Sequence, residues 1–167
     1  MKKFILLALI IYAIFNPETI QAPTTSTVMA QEVVADPRIE KLEQFLRKYN
    51  SPLANSVDSF ISVADSYNID WRILPAISGA ESTFARHTPS CAGFNPFGWS
   101  SSTSPCGFWR FESYDEAIRT VGTKISTGSA YSKYQRSGKI EDLALSYNPS
   151  GQEAWIDKVS YFMEELK

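Results

Sequence analysis

One glutamate draws attention because of where its side chain is expected to lie. Glu81 falls at the end of a predicted helix, four residues after Ile77 and seven after Leu74, so it leaves that helix from the apolar stripe. A carboxyl group there is partly removed from water, and desolvation disfavours the charged form and raises the pKa. The helix pattern alone leaves two interpretations of Glu81 open, a general acid and a solvated residue at a helix end.

The two cysteines, Cys91 and Cys106, offer a different chemistry. In an exported chain, which the amino terminus indicates, such a pair usually forms a disulfide; this one would close a loop of about 15 residues and contribute on the order of 3 kcal/mol. Two reduced, buried thiols are the alternative. A Cys91 nucleophile paired with His87, the only histidine, would need a helix across Pro89, which proline disfavours. One histidine and two cysteines fall short of a zinc site, so neither a metal nor another cofactor is expected.

Helices must position Glu81, and apolar periodicity predicts where they lie. Asp36 followed by proline is a helix-start signal before apolar residues at helical spacing, and a second amphipathic helix covers about 53–67. Asp70 begins the third helix, which ends at Glu81. That helix tolerates Pro75 because proline is accepted in a first turn.

The second half of the chain alternates an irregular stretch with helices. Residues 82–110 lack helical periodicity and are rich in glycine, proline and serine, so we expect a long functional loop with room for a short hairpin. Ser113 and Glu116 form a capping box that starts another helix, and further helices are expected at about 140–147 and 152–166. The predicted fold is mainly α, with α+β as the alternative.

The amino terminus has the composition of an export signal. Two lysines precede an unbroken apolar run from Phe4 to Phe15, which is too short to span a bilayer comfortably. We interpret residues 1–22 as a signal peptide or N-terminal membrane anchor, residues 23–35 as a linker, and residues 36–167 as one folded domain. In either case we expect the folded part to be secreted or held at the cell surface.

The overall composition limits the class of partner. A net charge of -2 gives no basic face for DNA or RNA, so no nucleic-acid partner is expected. The content of 44% hydrophobic and 20% charged residues is that of an ordinary globular protein. We expect a folded monomer.

Three motifs follow one another along the chain: IDWRILPAISGAESTF at 69–84, NPFGW at 95–99 with FESYDEAI at 111–118, and LSYNPSG at 145–151. Through them the chain resembles the lysozyme-like superfamily, particularly lytic transglycosylases and bacterial endo-β-N-acetylglucosaminidases. The first looks like the transglycosylase helix ending in the catalytic Glu-Ser, the second like the glucosaminidase Asn-x-Phe-Gly turn and aromatic segment, and the third like the transglycosylase Ala-Tyr-Asn-Ala-Gly signature. Asn-Pro-Phe-Gly stands where transglycosylases carry Gly-Leu-Met-Gln, and Pro-Ser replaces Ala in the last motif, so the subfamily stays open.

The resemblance implies a lysozyme-like helical domain that cleaves the β-1,4 glycan backbone of peptidoglycan, with Glu81 as the acid and glycan strands as the partner. A second carboxylate is not obvious, although Glu112 and Asp115 come from the right region. Lytic transglycosylases, as a family, need one acid/base, because the muramyl 6-hydroxyl attacks intramolecularly. The residues expected to contact the substrate are Ser82, Asn95, Phe97, Gly98, Trp99, Tyr147 and Asn148.

Two other functions remain open at this point. A non-catalytic glycan-binding module would keep the fold without the activity, because a fold does not guarantee a function. A wall-peptide hydrolase would use Cys91 and His87, and it requires a free thiolate. The bond that is cut, and the choice between hydrolysis and transglycosylation, do not follow from the sequence.

Overall fold

The structure is a computed structural model that describes residues 36–167. The predicted signal peptide or anchor at 1–22 and the linker at 23–35 lie outside the described residues. Within residues 36–167, no helix is both long enough and apolar enough to cross a bilayer.

Helices dominate the described part of the chain, which confirms the mainly α prediction. Strand pairing within residues 36–167 is limited to two isolated bridges, Gly93 with Phe111 and Ser100 with Phe108. Short 3₁₀ turns occupy Pro52–Ser56, Ser90–Ala92 and Ser129–Tyr131. The seven α-helices of this part are α1 (Pro37–Lys48), α2 (Val57–Tyr67), α3 (Ile73–Ser82), α4 (Tyr114–Thr127), α5 (Ser132–Ser137), α6 (Ile140–Tyr147) and α7 (Gln152–Glu165).

Two of the predicted helix starts, at Asp36 and Ser113, have side-chain caps, and Asp70 bonds to the backbone just before α3. The Asp36 carboxylate accepts a hydrogen bond from the backbone N–H of Arg38 at 2.9 Å, ahead of α1. Asp70 accepts from the N–H of Arg72 at 3.0 Å, and α3 begins one residue later. Ser113 accepts from the N–H of Glu116 at 3.1 Å, which forms one half of the predicted capping box.

Two local features differ from the expectation. The second helix starts as the 3₁₀ turn Pro52–Ser56 and becomes α-helical at Val57, so its α-helical part is shorter than predicted. The helix α5 was not predicted at all. Its residues are mostly polar, and Tyr134 is its one buried side chain, so it lacks the apolar stripe that reveals a helix in a sequence.

The core packs around α3, which carries the predicted acid near its end. Ile73, Leu74 and Ile77 are fully buried, and α3 packs mainly against α7. Gly79 allows this close approach, because a Cβ there would lie 2.6 Å from a ring carbon of Phe84 and 2.7 Å from one of Phe162. The last turn of α3 is therefore held against the carboxyl-terminal helix.

Candidate active site

The Glu81 carboxyl group lies in the last turn of α3 and is largely removed from water. Its Oε1 accepts a hydrogen bond of 2.7 Å from Nε1 of Trp155, a residue of α7 that is only 4% exposed. Burial raises the pKa of Glu81, whereas the Trp155 hydrogen bond and the Lys158 ammonium pull that pKa downward. The net effect is a raised pKa, so Glu81 holds its proton to higher pH than an ordinary glutamate.

The other carboxyl oxygen of Glu81 faces the turn at residues 95–99. Gly98 has φ +59°, and a Cβ on it would lie 2.6 Å from Oε2 of Glu81. Two features exclude a side chain at position 98: the left-handed backbone and the nearby carboxyl group of Glu81. Gly98 therefore lets main-chain atoms approach Oε2 closely.

Asn95 builds this turn from the inside. Its side-chain oxygen accepts from the backbone N–H of Phe97 at 3.3 Å and of Trp99 at 3.0 Å, and its amide donates to the carbonyls of Trp99 at 2.9 Å and Trp109 at 2.8 Å. Asn95 is 1% exposed and Phe97 is fully buried. This arrangement does not support the prediction that Asn95 and Phe97 contact a substrate directly, because their side chains are occupied in holding the turn.

Ser82 ties the end of α3 to the same turn. Its hydroxyl donates to the carbonyl of Pro96 at 2.7 Å and accepts from the N–H of Ala85 at 2.8 Å, and the residue is buried. The predicted substrate contact at Ser82 is not supported, because the hydroxyl is engaged by the backbone. The chain then reverses through Thr83, Phe84 and Ala85, whose φ angles are 52°, 58° and 66°. Three consecutive left-handed residues that are not glycine indicate strain directly after the acid.

Tyr147 reaches the site from the end of α6. Its hydroxyl donates to the carbonyl of Phe97 at 2.7 Å, and its ring stacks on Trp155 with centroids 5.2 Å apart. Burial raises the pKa of Tyr147 well above its usual range, and the Glu81 charge raises it further. The ring of Trp99 meets Tyr147 edge-on at 5.8 Å. The structure thus brings Glu81, Gly98, Trp99 and Tyr147 together, although these residues come from three separate motifs.

Asn148 has a different position from the one expected. Its side-chain oxygen accepts a hydrogen bond of 3.2 Å from the N–H of Gly151, in the link between α6 and α7. This contact orders the start of α7, which carries Trp155. Asn148 therefore stabilises the link between α6 and α7. Its predicted contact with a substrate stays a prediction.

Two cavities lie near these elements, and they differ in their relation to the acid. The larger, about 550 Å³, lies on the segment around Cys91, Cys106 and Trp109, and Glu81 is not part of its lining. The smaller, about 180 Å³, is bordered by two neighbours of Glu81. Glu81 lines neither cavity, and we assign the candidate site to the smaller one because Gly98 and Tyr147, which line it, adjoin the Glu81 carboxyl group. Its lining residues are Gly98, Trp99, Ser100, Tyr131, Ser146 and Tyr147.

Cys91 and Cys106 are free thiols in the structure, so the predicted disulfide is not confirmed. The two side chains do face each other: a hydrogen bond between them raises the pKa of Cys91 and lowers that of Cys106. A raised thiol pKa leaves Cys91 mostly protonated at neutral pH, which disfavours it as a nucleophile. The backbone N–H of His87 donates a hydrogen bond of 2.9 Å to the carbonyl of Ser82. Within residues 36–167, no three His, Cys, Asp or Glu side chains cluster as metal ligands.

Glu112 and Asp115 were considered as a second catalytic carboxylate, and neither hydrogen-bonds to Glu81. Asp115 accepts a hydrogen bond of 2.8 Å from the hydroxyl of Ser59, and Glu112 is exposed, with its backbone N–H bonded to Glu116. The charged side chain with an electrostatic effect on the acid is Lys158. The local arrangement is thus one carboxyl group beside one ammonium group.

Sequence reasoning missed Trp155 and Lys158. Trp155 falls within the predicted helix at about 152–166, and it is buried. The available signal was its indole N–H, which in a buried tryptophan needs an acceptor. No sequence pattern identifies that acceptor, because it is a residue of another helix.

Compared with known protein families and with curated proteins, the sequence gives no match.

Proposed function

We propose that this chain is an exported glycosidase with a lysozyme-like fold, which cleaves the β-1,4 glycan backbone of peptidoglycan by general acid catalysis from Glu81. The single observation that carries the proposal is the environment of this carboxyl group: partly buried, with a raised pKa, and held between the Trp155 indole and the Gly98 backbone. Residues from three motifs that resemble cell-wall glycosidases meet at this carboxyl group, which gives independent support.

The reaction begins with a protonated Glu81. The carboxyl group transfers its proton to the glycosidic oxygen as the bond from that oxygen to the anomeric carbon breaks, and a carboxylate remains. The Trp155 N–H and the Lys158 ammonium stabilise that carboxylate. A hydroxyl group then attacks the anomeric carbon and returns a proton to Glu81, which regenerates the acid.

The attacking hydroxyl group distinguishes the two enzyme types. In a glucosaminidase it belongs to water, and in a lytic transglycosylase it is the 6-hydroxyl of the muramyl sugar, which leaves an anhydro end. The Asp115 carboxylate bonds to Ser59 and Glu112 is exposed, and neither is hydrogen-bonded to Glu81, so we take the site to offer one acid/base. A single acid/base favours the transglycosylase type, because that reaction needs no second carboxylate.

The cavity beside the acid suits a sugar ring. Trp99 and Tyr131 stack with ring centroids 6.2 Å apart and both line it, so their aromatic surfaces provide the flat apolar contacts that sugars favour. Ser100 and Ser146 add hydroxyl groups at its border. The proposed partner is the glycan strand, outside the cytoplasm, with residues 1–22 as the export signal or membrane anchor.

The decisive experiment compares the wild type with Glu81→Gln on purified peptidoglycan, with the new ends identified by mass spectrometry. Gln keeps the shape of a protonated glutamate but cannot release a proton, so cleavage should fall by at least about 10²–10⁴-fold while folding and glycan binding persist. The wild-type activity should also decline as pH rises through the raised pKa of Glu81.

Glu164→Gln is the matched control. Glu164 is exposed at the end of α7 and pairs with Lys167, so its exchange should leave cleavage unchanged. If Glu81→Gln clears cell walls at the parent rate, Glu81 is not the acid. If the wild type binds glycan strands but produces no new ends, the chain is a glycan-binding module.

A further inference from the structure

We propose that Trp155 is a positioning residue that holds Oε1 of Glu81, so that the proton transferred in catalysis is carried by Oε2 on the side of Gly98. This inference rests on the proposed function, since it specifies which oxygen of the same acid acts. It starts from the hydrogen bond of 2.7 Å between Trp155 Nε1 and Glu81 Oε1.

The assignment of the proton follows from hydrogen-bond chemistry. An indole N–H can only donate, so Oε1 must offer it a lone pair. In a protonated carboxyl group the carbonyl oxygen is the better acceptor, so Oε1 is the carbonyl oxygen and Oε2 bears the proton. Gly98 lies against Oε2, and it also borders the cavity proposed for the sugar.

Trp155 is itself fixed in place through the turn at residues 95–99, whose Gly98 lies against Oε2. Its ring stacks on Tyr147, and the Tyr147 hydroxyl donates to the carbonyl of Phe97, the residue before Gly98. The contacts therefore form a closed loop from Glu81 through Trp155 and Tyr147 to the turn and back to Glu81. A carboxyl group inside such a loop cannot rotate freely, and catalysis depends on that orientation.

The same contact affects the proton affinity of the acid. The titratable groups that act on Glu81 from the neighbouring helices are Lys158 on α7 and Tyr147 on α6. Trp155 and Lys158 both favour the carboxylate and therefore lower the pKa of Glu81 against the effect of burial. They lie three residues apart on one helix, so they reach the acid from the same face.

The test replaces Trp155 by Phe, which keeps an aromatic ring against Tyr147 and removes only the N–H donor. At the pH optimum kcat should fall by about 10- to 100-fold, because the carboxyl group loses its fixed orientation. The alkaline limb of the pH profile should move to higher pH, because a group that favoured the charged form is gone. Trp71→Phe, an equal change at a tryptophan that packs elsewhere on the core, should move neither.

Lys158→Gln separates position from charge. This exposed side chain can be changed without disturbing packing, so the alkaline limb should move in the same direction, while the fall in kcat at the optimum should be smaller than in Trp155→Phe because the carboxyl group keeps its orientation. Lys124→Gln, an exposed change on α4, is its control.

A measurement independent of activity is the carbon-13 NMR titration of the Glu81 carboxyl group in each folded variant. The pKa of Glu81 should rise in Trp155→Phe and in Lys158→Gln, whether or not the wild type cleaves peptidoglycan. If Trp155→Phe loses activity while the Glu81 titration and the pH limb stay in place, Trp155 is only a packing residue and the inference is wrong. An inert wild type whose titration shifts as expected would overturn the proposed function and leave the Trp155 contact standing.

Discussion

The surroundings of Glu81 and the segment 99–109 contain similar residues that are used in opposite ways. Trp155 is 4% exposed and its N–H is bonded to the acid, whereas Trp109 is 47% exposed. Gly98 and Gly107 both have positive φ, but a Cβ on Gly98 would collide with the acid, and one on Gly107 would meet nothing within 4 Å. The comparison shows that residue types alone do not identify a candidate active site. What distinguishes the surroundings of Glu81 is that its neighbours pack around an ionisable group.

The two regions also differ in what cavity size reveals. The larger cavity lies on the 99–109 segment and has a mainly apolar lining that includes Trp109 and the two thiols. The smaller one is lined by Gly98 and Tyr147, which adjoin Glu81. A large surface depression needs only loops that stand apart, whereas a raised carboxyl pKa needs packed helices on several sides. The perturbed group is therefore the better guide to the chemistry here.

The sharpest test of this comparison sets Gly98→Ala against Gly107→Ala. Both changes place a side chain at positive φ in the same irregular stretch, so their backbone strain is similar. Only Gly98→Ala pushes against Oε2 of Glu81, and it should reduce cleavage by about 100-fold through displacement of the acid. Rates on purified peptidoglycan, with thermal unfolding measured in parallel, provide the check. Equal losses in the two variants would mean that strain, and not contact with the acid, decides the rate.

An intermediate effect is expected where the two regions meet, at Asn95. Asn95→Ala removes the amide that bonds Trp99 and Trp109, so the free energy of unfolding should fall by about 2–4 kcal/mol. Cleavage should fall by about 10-fold in the folded fraction, because the turn against the acid loosens. Denaturant unfolding together with rates measures both quantities. Ser102→Ala, an exposed change in the 99–109 segment, should alter neither; a fully active Asn95→Ala would show that the turn keeps its shape without this side chain.

The smallest effect on cleavage is expected at the thiols. Because we propose export to an oxidising compartment, we predict that Cys91 and Cys106, whose side chains already face each other, form a disulfide bond there. Exchange of both for serine should lower thermal stability under oxidising conditions and leave the cleavage rate nearly unchanged, since the acid lies elsewhere. Mass spectrometry without reduction detects the bond directly. Alkylation of both thiols without prior reduction would show that the pair stays reduced.

How much could be predicted from the sequence depended on whether a feature is local. The spacing of Ile77 and Glu81 was sufficient to place the acid on the buried side of α3, because helical periodicity is a local property. The burial of Ser82 and Asn95 was not predictable, since a motif gives residue types but not the face on which they lie. The Trp155 contact was beyond reach for another reason: it joins residues 74 positions apart.

That separation has a consequence for the order of folding. Contacts between distant residues must close a long chain segment, and they form late unless local structure prepares them. Synthesis from the amino terminus makes α7 after α3, so the residues of α3 are made before their partner helix. Until α7 docks, Glu81 lacks both its burial and its indole donor and titrates as an ordinary surface glutamate. We therefore expect Glu81 to acquire its raised pKa only when α7 has docked. A truncated chain that ends before Trp155 would contain Glu81 without that raised pKa.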